Sequence, residues 1–277
     1  RKYPNIEVPT LSIHVPDMRI PEMLFMSQDL DQKHVQFIRE IVRHAAKNHE
    51  KDLRHDVMAH LHALGDLSPE SRPILHLGAT SQFLNCNTEL IQLKDALSLI
   101  LEKVKTVIIL LGERANEWKS IPVIGWTHYQ TAQPTTAGKR AACWAYDYAL
   151  VIESIESRIN TLRFRGIRGA TGTQASFLAL FNGDHEKVEK LDQFVTKSMG
   201  WNIKKRLSVT GQTYPRVIDA LILGDLAAAS AVLHKFATDI RLLSNLGEVQ
   251  EPFGEKQIGS SAMPYKRNPM RSERICA

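Results

Sequence analysis

Long segments with helical apolar spacing constrain this chain to an all-α architecture. Apolar residues recur at helical spacing over residues 88–119, 135–164 and 214–246. Each segment is far longer than an average helix of about 11 residues, and the first would form a rod of about 48 Å. Because helices of this length pack side by side, the sequence predicts an elongated long-helix bundle.

Several of the predicted helices are apolar on more than one face. The run Ala227-Ala228-Ala229-Ser230-Ala231, for example, is small and apolar almost throughout. A helix with several apolar faces is usually covered on several sides. We therefore expect these helices to assemble with helices of other subunits. No strand-rich region is expected beyond a short extended piece at Leu207-Ser208-Val209.

The composition is that of an ordinary globular protein, with 43% hydrophobic and 23% charged residues among 277. We identify no apolar run of the roughly 18 residues expected of a membrane span, and the first residues lack the plan of a signal peptide. The three cysteines, Cys86, Cys143 and Cys276, lack metal-ligand spacing and suit a reducing compartment. We therefore expect a cytoplasmic protein with no membrane span and no bound metal.

The net charge of +5 suits an anionic partner. A small anionic molecule, a nucleotide and a nucleic acid would all satisfy this charge, and charge alone does not choose among them. The chain contains no zinc-finger, P-loop or RNP-like string, and its lysines and arginines are spread along its length. A nucleic-acid partner is therefore not expected.

A polar motif stands before each predicted long helix. The motifs are Gly78-Ala79-Thr80-Ser81, Thr127 to Pro134, Thr210-Gly211-Gln212-Thr213, and Gly259 to Pro269 before a fourth helix. Backbone N–H groups at a helix start bind carboxylate or phosphate, helped by hydroxyl and amide side chains. Each motif alone also fits an ordinary helix cap. Four of them in one chain, with a histidine in the second, favour a shared anion site.

The segment Gly259 to Pro269 combines a hydroxyl-bearing loop with a cationic helix start. Ser260 and Ser261 follow a glycine, and Asn268 and Pro269 predict the N-cap and the first residue of the next helix. Its basic residues are Lys266, Arg267, Arg271 and Arg274. Without further context, a surface loop and a solvated basic helix would account for this pattern equally well.

The same segment resembles a known signature. Its pattern, Gly-Ser-Ser-x-Met-Pro-x-Lys-x-Asn-Pro, matches the signature loop of the fumarase/aspartase superfamily without gaps. At the variable positions, Ala262, Tyr265 and Arg267 are similar to the adenylosuccinate lyase family. Three further segments resemble that family, from Arg54 to His60, from His76 to Ser81 and from Trp126 to Gln133. A fourth, Phe164 to Gln174, resembles the glycine-rich stretch of its animal-type branch.

The chain departs from the family pattern in three places. Cys86 stands where many relatives have an acid, and no early Arg-Tyr pair for phosphate contact is found. The chain also ends at Ala277, whereas family members continue through further helices. By this resemblance we expect an incomplete N-terminal helical domain over residues 1–80. A truncated central long-helix bundle would follow over residues 81–277, without the C-terminal helical domain.

The resemblance implies a C–N lyase. It would cleave adenylosuccinate to AMP and fumarate, and SAICAR to AICAR and fumarate, by β-elimination in purine biosynthesis. The implied catalytic residues are Ser260 as base, His128 as the acid that protonates nitrogen, His55 as its assistant, and Lys266. The implied substrate-binding residues are Arg54, Asp56, Thr80, Ser81, Thr127, Gln212, Ser261, Met263, Asn268 and Arg274.

The resemblance also implies how the protein works and assembles. No metal or organic cofactor is expected, because the substrate carboxylate itself accepts the electrons. The family forms homotetramers with active sites shared between subunits, and we expect the same here. Two alternatives stay open, namely another lyase of the superfamily (argininosuccinate lyase or fumarase) and a truncated, non-catalytic scaffold protein.

Overall fold

The structure is a computed structural model that describes the backbone of residues 32–277 and the side chains of residues 39–277. Its elements are α1 (Gln32–Leu53), α2 (Asp56–Leu67), α3 (Ser81–Glu117), β1 (Pro122–Thr127), β2 (Gln130–Thr136), α4 (Ala137–Thr161), α5 (Ala175–Leu180), α6 (His185–Ser198), α7 (Val217–Asn245) and α8 (Met270–Cys276). The described chain is thus mainly helical, and the predicted all-α class is confirmed.

The three long helices occur where the apolar spacing predicts them, as α3, α4 and α7. In α3 the predicted inward positions include Leu90 and Leu97, which are both buried. In α4 Trp144 and Ile155 are buried likewise. The periodic pattern therefore identified the packed faces of these two helices, because burial repeats with the helical period of 3.6 residues.

The chain divides into two compact units. Of the described residues, the first unit comprises 32–98 and 161–218, and the second comprises 99–160 and 219–277. The first unit includes α1, α2, α5 and α6, and one of its cores joins Val42, Val57, Leu64 and Leu84. The second includes the β1–β2 hairpin, α4 and α8. The expected domain division at residue 80 stays a prediction.

A buried carboxylate fixes the glycine-rich stretch, residues 164–174, within the first unit. Asp192 lies on the inner face of α6, with its side chain 1% exposed. It accepts hydrogen bonds from the Ile167 N–H at 3.0 Å and the Arg168 guanidinium at 2.8 Å, and from the Gln174 amide at 3.1 Å. Arg206 forms a further ion pair with it at 2.8 Å. One carboxylate thus satisfies four donors.

The expectation of no strand-rich region missed a β-hairpin in the second unit. β1 pairs with β2 in antiparallel register from Pro122↔Thr136 to Thr127↔Gln130, with an irregularity between Ile124 and Trp126. Gly125 sits at this irregularity, where a Cβ would lie 2.8 Å from the Gln133 carbonyl oxygen. The hairpin was missed because its residues are mostly exposed and carry no alternating apolar pattern.

The extended piece expected at Leu207-Ser208-Val209 is also wrong. The one bridge there pairs Phe164 with Arg206 in parallel, and the Leu207 N–H donates to the Phe164 carbonyl at 2.8 Å. Ser208 and Val209 form a bend. An isolated bridge leaves no periodic pattern, since it depends on a partner 42 residues away in sequence, from 164 to 206.

Helix α7 is long and apolar enough to cross a membrane by length and composition, with a mean hydropathy of 1.7 over 18 residues. This corrects the expectation that no such run exists. One such helix is weak evidence, and two of its carboxylates have protein partners. Asp225 pairs with Arg158 of α4 at 2.6 Å, and Asp239 accepts from the Trp144 indole at 2.8 Å. These contacts suit a helix of a protein bundle better than a lipid-facing one.

Candidate functional site

His128 lies at the tip of the β-hairpin. The loop between β1 and β2 consists of His128 and Tyr129 alone, and both have positive φ, 52° and 58°. Two successive positive φ values are typical of a type I′ turn, which usually uses Asn-Gly. A tyrosine in this conformation is strained by roughly 1–3 kcal/mol. The turn therefore carries a backbone cost at the predicted acid, a pattern often found at functional sites.

The hairpin position corrects the expected helix-start geometry of this motif. Thr127 is the last residue of β1, and α4 begins only at Ala137. The Thr136 hydroxyl accepts from the Lys139 N–H at 3.1 Å and caps α4 instead. The hydrogen-bond donors of the second motif therefore lie in a hairpin and its turn, and not at the N-terminus of a helix.

Glu248 anchors the hairpin within the second unit. Its carboxylate accepts from the Arg140 guanidinium and from the Trp126 indole, both at 2.9 Å, and Arg140 also donates to the Ile124 carbonyl at 2.9 Å. Burial alone would raise the pKa of Glu248, but the Arg140 and Trp126 hydrogen bonds outweigh it and hold that pKa below its ordinary value. The network ties β1, which leads into the His128 turn, to Glu248 and to α4.

An open cleft of about 410 Å³ lies beside this turn. Its lining includes His128, Tyr129 and Arg140, together with Asp239 and residues at the C-terminal end of α7, Leu242, Leu243, Asn245 and Leu246. The cleft is mixed in character, with leucines opposite a histidine, an arginine and an aspartate. Such a cleft is large enough for a small organic ligand.

The signature loop, residues 259–269, is closed at its base. The Asn268 side-chain amide donates to the Gly259 carbonyl at 3.0 Å. A Cβ at Gly259 would overlap the Lys266 carbonyl oxygen, so this close approach requires glycine. The guanidinium of Arg267 stacks on Phe253 at 4.2 Å. The loop therefore projects its middle residues from a fixed neck.

Ser260 lies in the half-buried part of this loop. Its Oγ accepts from the Met263 N–H at 3.3 Å, and the Met263 carbonyl accepts from the Lys266 N–H at 3.0 Å. Ser261, Met263 and Lys266 are exposed. A backbone N–H donated to Oγ favours the deprotonated hydroxyl, which is the form that a base requires.

The predicted start of α8 is wrong by one residue, and the predicted N-cap, Asn268, does not cap the helix. Helix α8 begins at Met270, and its N-cap is Pro269, which has no side-chain cap. The N–H groups of Arg271 and Ser272 donate to the Glu251 carboxylate at 3.0 and 2.9 Å, and the Ser272 hydroxyl donates at 2.6 Å. A carboxylate of the chain itself thus takes the place expected for a bound anion. Arg274 lies exposed in the last turn.

Replacing Glu251 by glutamine is expected to destabilise the protein by about 1–3 kcal/mol at pH 7. Burial raises the pKa of Glu251, but the bonds from Ser272 and Arg271 outweigh it and depress that pKa. The wild-type advantage is therefore present above the ordinary glutamate pKa of about 4.3. It is lost as the pH falls through the depressed folded-state value. Urea unfolding from pH 7 to pH 3.5 measures this difference.

The control is Glu255→Gln, which alters an exposed glutamate of the same segment. It should match the wild type at every pH. A Glu251→Gln deficit that stays constant down to pH 3.5 would contradict the assignment, because a neutral carboxyl group keeps no charge-dependent advantage.

In the first unit, His55 is the N-cap of α2. Its Nδ1 accepts from the Met58 N–H at 3.4 Å and lies 3.4 Å from the Asp56 carboxylate. Arg54 joins α1 to α2 with a φ of 48°. Arg54, His55 and Asp56 are all exposed. The capping bond uses Nδ1 of His55, so Nε2 of the same ring is not used in capping.

His76 is a candidate that the sequence reading did not single out. It has a φ of 66°, and its Nδ1 is buried without a hydrogen-bond partner in the described structure. Burial, assisted by repulsion from His55, lowers the pKa of His76. An unsatisfied buried nitrogen beside a second histidine suits a ligand group. Only the fold reveals the buried nitrogen of His76, since nothing in the sequence distinguishes this histidine from the other ten.

The glycine-rich stretch brings the first and third motifs together. Thr80 precedes α3 and its carbonyl accepts from Phe83, while Ser81 is the first residue of α3. A Cβ at Gly169 would lie 4.0 Å from the Gly78 carbonyl oxygen. One at Gly172, where φ is +78°, would overlap the carbonyl oxygens of Thr210 and Gly211. Gln212 follows directly and is exposed.

The predicted residues thus fall into two sets. The first unit contains Arg54, His55, Asp56, Thr80, Ser81 and Gln212, and the second contains Thr127, His128, Ser260, Ser261, Met263, Lys266, Asn268 and Arg274. Across residues 32–277 no hydrogen bond joins His128 to Ser260, and no cluster of three His, Cys, Asp or Glu side chains suits a metal ion.

Comparison with known proteins places these residues in a family. A family model described as Lyase matches residues 26–277. The chain belongs to this lyase family. The resemblance to the fumarase/aspartase superfamily is thereby confirmed. Among solved lyase-like folds, the 3-carboxy-cis,cis-muconate lactonizing enzyme from Pseudomonas putida has a TM-score of 0.70 at 25% identity. It covers 89% of this chain and 55% of its own.

The chain is more similar still to particular curated proteins, which are adenylosuccinate lyases. Adenylosuccinate lyase of Saccharomyces cerevisiae is 50% identical over 246 residues, which cover 89% of this chain and 50% of the yeast protein. Adenylosuccinate lyase of Schistosoma mansoni is 53% identical over 229 residues, covering 82% and 47%. The chain spans about half the length of the curated relatives it matches.

Proposed function

We propose that this chain is the part of an adenylosuccinate lyase that carries its signature loop and hairpin histidine. The observation that carries the proposal is the 50% identity to the yeast enzyme over 246 residues. The reaction would be cleavage of adenylosuccinate to AMP and fumarate, and of SAICAR to AICAR and fumarate. The net charge of +5 suits substrates that bear phosphate and carboxylate groups.

The reaction requires two proton transfers on opposite sides of one bond. A base removes a proton from the carbon next to a carboxylate, which creates a dianionic aci-carboxylate. An acid then protonates the departing nitrogen as the C–N bond breaks. Because negative charge develops on the carboxylate, hydrogen-bond donors and cations must already surround it. The electrons pass into the substrate itself, so no metal or organic cofactor is proposed.

The signature loop supplies the base in this proposal. Ser260 takes the carbon-bound proton, supported by the Met263 N–H at its Oγ and by the ammonium of Lys266. Asn268 retains one amide hydrogen and its oxygen beyond the bond to Gly259. Carboxylate binding is proposed for Ser261, Met263 and Asn268 of this loop, and for Thr127 beside the acid.

His128 supplies the acid from the hairpin tip, where its exposed ring stands beside the open cleft. An imidazole titrates near neutral pH and therefore donates and recovers a proton readily. In the first unit, Thr80, Ser81 and Gln212 hold carboxylate, and His55 with Arg54 and Asp56 faces the nucleotide. His76 joins this group because its buried nitrogen has no partner across the described residues.

Shared active sites are part of the proposal. Exposed apolar side chains recur along α7, where Leu221, Leu223 and Leu233 are 46%, 64% and 40% exposed. Such a surface indicates a protein interface. We propose a homotetramer in which helices such as α7 pack between subunits, and sites that combine residues of different chains. A cytoplasmic location fits the same proposal.

The test is release of fumarate by the purified full-length protein. Adenylosuccinate should lose its characteristic absorbance as fumarate is formed in equal amount, and Ser260→Ala should abolish this change. A Ser208→Ala variant, altering an exposed serine outside the motifs, is the matched control. Turnover of argininosuccinate or malate in place of the nucleotide would select another lyase of the superfamily. No turnover of any of these would favour a non-catalytic scaffold.

A further inference from the structure

We propose that Arg165 is a positioning residue for substrate binding, which holds the Gln212 loop against the glycine-rich stretch. The Gln212 loop is defined as residues 210–213. The inference rests on the proposed function, in which Gln212 binds a substrate carboxylate. It assigns Arg165 no contact with the substrate.

Arg165 lies beneath both segments. Arg165 is 0% exposed, and its side chain is the largest among the fully buried ones in the described structure. The guanidinium donates to the carbonyls of Arg168 at 3.3 Å, Gly169 at 3.4 Å and Gly211 at 3.3 Å. Two of these acceptors belong to the glycine-rich stretch and the third to the Gln212 loop. One planar group therefore joins the two segments.

The neighbouring arginines are neutralised in a way that Arg165 is not. Arg168 and Arg206 both pair with the Asp192 carboxylate at 2.8 Å. Across residues 39–277, no carboxylate forms an ion pair with Arg165, and its Nε has no hydrogen-bond partner. Burial lowers the pKa of Arg165, with a smaller opposing influence from Cys86 and a supporting one from Arg168.

A cation in such a place costs stability if it serves the fold alone. An apolar side chain of similar volume is often as stable or more stable than a buried charge. The guanidinium instead offers a flat array of donors that fixes several carbonyls at once. Its position between two motif-bearing segments points to alignment of the site as the reason for the charge.

The alignment reaches Gln212 through its own peptide bond. The Gly211 carbonyl that accepts from Arg165 belongs to the same peptide group as the Gln212 N–H. On the other side, Gly172 packs so closely on Thr210 and Gly211 that a Cβ would overlap their oxygens. The loop is thus held from two directions just before Gln212. Losing one hold should let the Gln212 amide sample positions that do not bind carboxylate.

Arg165→Lys tests this because lysine keeps the charge and loses the fork. It is expected to raise the KM for adenylosuccinate about tenfold, the equivalent of one lost charged hydrogen bond, with kcat changed less than about threefold. A purely structural role would give another result. Fewer folded molecules would lower the apparent kcat and leave KM unchanged. Arg163→Lys, an exposed arginine two residues earlier, should behave as wild type.

A double-mutant cycle connects the effect to Gln212. If Arg165 acts through Gln212, then Arg165→Lys should change the KM of Gln212→Ala by less than about twofold. The same tenfold increase in both backgrounds would overturn the proposal. So would a wild-type KM in the Arg165→Lys single variant.

Hydrogen exchange provides a readout that needs no turnover. In Arg165→Lys the amide of Gly172, which donates to the Gly169 carbonyl at 3.1 Å and packs on Thr210 and Gly211, should exchange about tenfold faster, whereas those of α6 should be unchanged. Unchanged exchange at Gly172 would overturn the proposal. If the wild type fails to cleave adenylosuccinate, the proposed function fails, and the exchange experiment still decides whether Arg165 positions this loop.

Discussion

Replacing His128 by asparagine is expected to lower kcat for adenylosuccinate cleavage by about 10²–10⁴-fold, the usual contribution of a general acid. Asparagine is chosen because it tolerates positive φ, so the type I′ turn at 52° and 58° should persist. The asparagine amide does not ionise near neutral pH and therefore cannot act as a general acid. Steady-state assays with thermal unfolding of the same samples measure both effects, and the melting temperature should stay within about 2 °C of wild type.

His185→Asn is the matched control. His185 is exposed at the first position of α6, and no role in the site is proposed for it. Its variant should retain full activity. A His128→Asn enzyme with kcat within threefold of wild type would remove His128 from the mechanism and leave the hairpin strain without a functional reason.

Mixing inactive subunits extends this result to the assembly. If His128 and Ser260 of one site come from different chains, then a mixture of His128→Asn and Ser260→Ala subunits contains some sites with both residues intact. Activity should therefore return on mixing after mild dissociation. Mixtures that stay as inactive as the separate variants would place both residues of each site in one chain.

Replacing Asp192 by alanine is expected to destabilise the protein by about 3–5 kcal/mol, the cost of breaking a buried ion pair by removing one partner. The change leaves the guanidinium of Arg168, the Ile167 N–H and the Gln174 amide without their shared acceptor. Arg206 keeps its ion pair with Glu189. The free energy of unfolding in urea at pH 7 gives the magnitude.

Glu186→Ala is the control on the same helix. Glu186 pairs with Lys190 at 2.6 Å, but both side chains are at least 70% exposed, so little stability should be lost. A loss for Asp192→Ala no larger than for Glu186→Ala would show that the network beneath the glycine-rich stretch reorganises. Activity of the surviving folded Asp192→Ala protein should also fall, because this stretch supports the Gln212 loop.

Periodic patterns predicted the long helices well. The helical repeat places Leu90, Leu97, Trp144 and Ile155 inside, and the structure buries all four. The pattern identifies a packed face in α3 and α4, whereas several apolar residues of α7 fit the same spacing and are exposed. The signature loop was likewise identified from its residues, and its place before a final helix is confirmed.

Local chemistry predicted the caps less well. Asn268 has the composition of an N-cap, yet its amide bonds Gly259 across the neck of the loop. Glu251, 20 residues before Arg271, caps α8 in its place. Which of several possible partners a polar side chain bonds depends on their distances, and these distances are set by the folded backbone. The hairpin was not predicted either, because its strands show no alternation of apolar and polar residues.

The sequence by itself determined the helical class, the order of the motifs and the residues proposed for proton transfer. These follow from composition, period and residue identity within short segments. Only the tertiary structure decided that His128 occupies a strained turn, that Glu251 fills the helix start, and that Arg165 is buried without a carboxylate across the described residues. Those features depend on contacts between segments far apart in sequence, where burial and competing partners set the outcome.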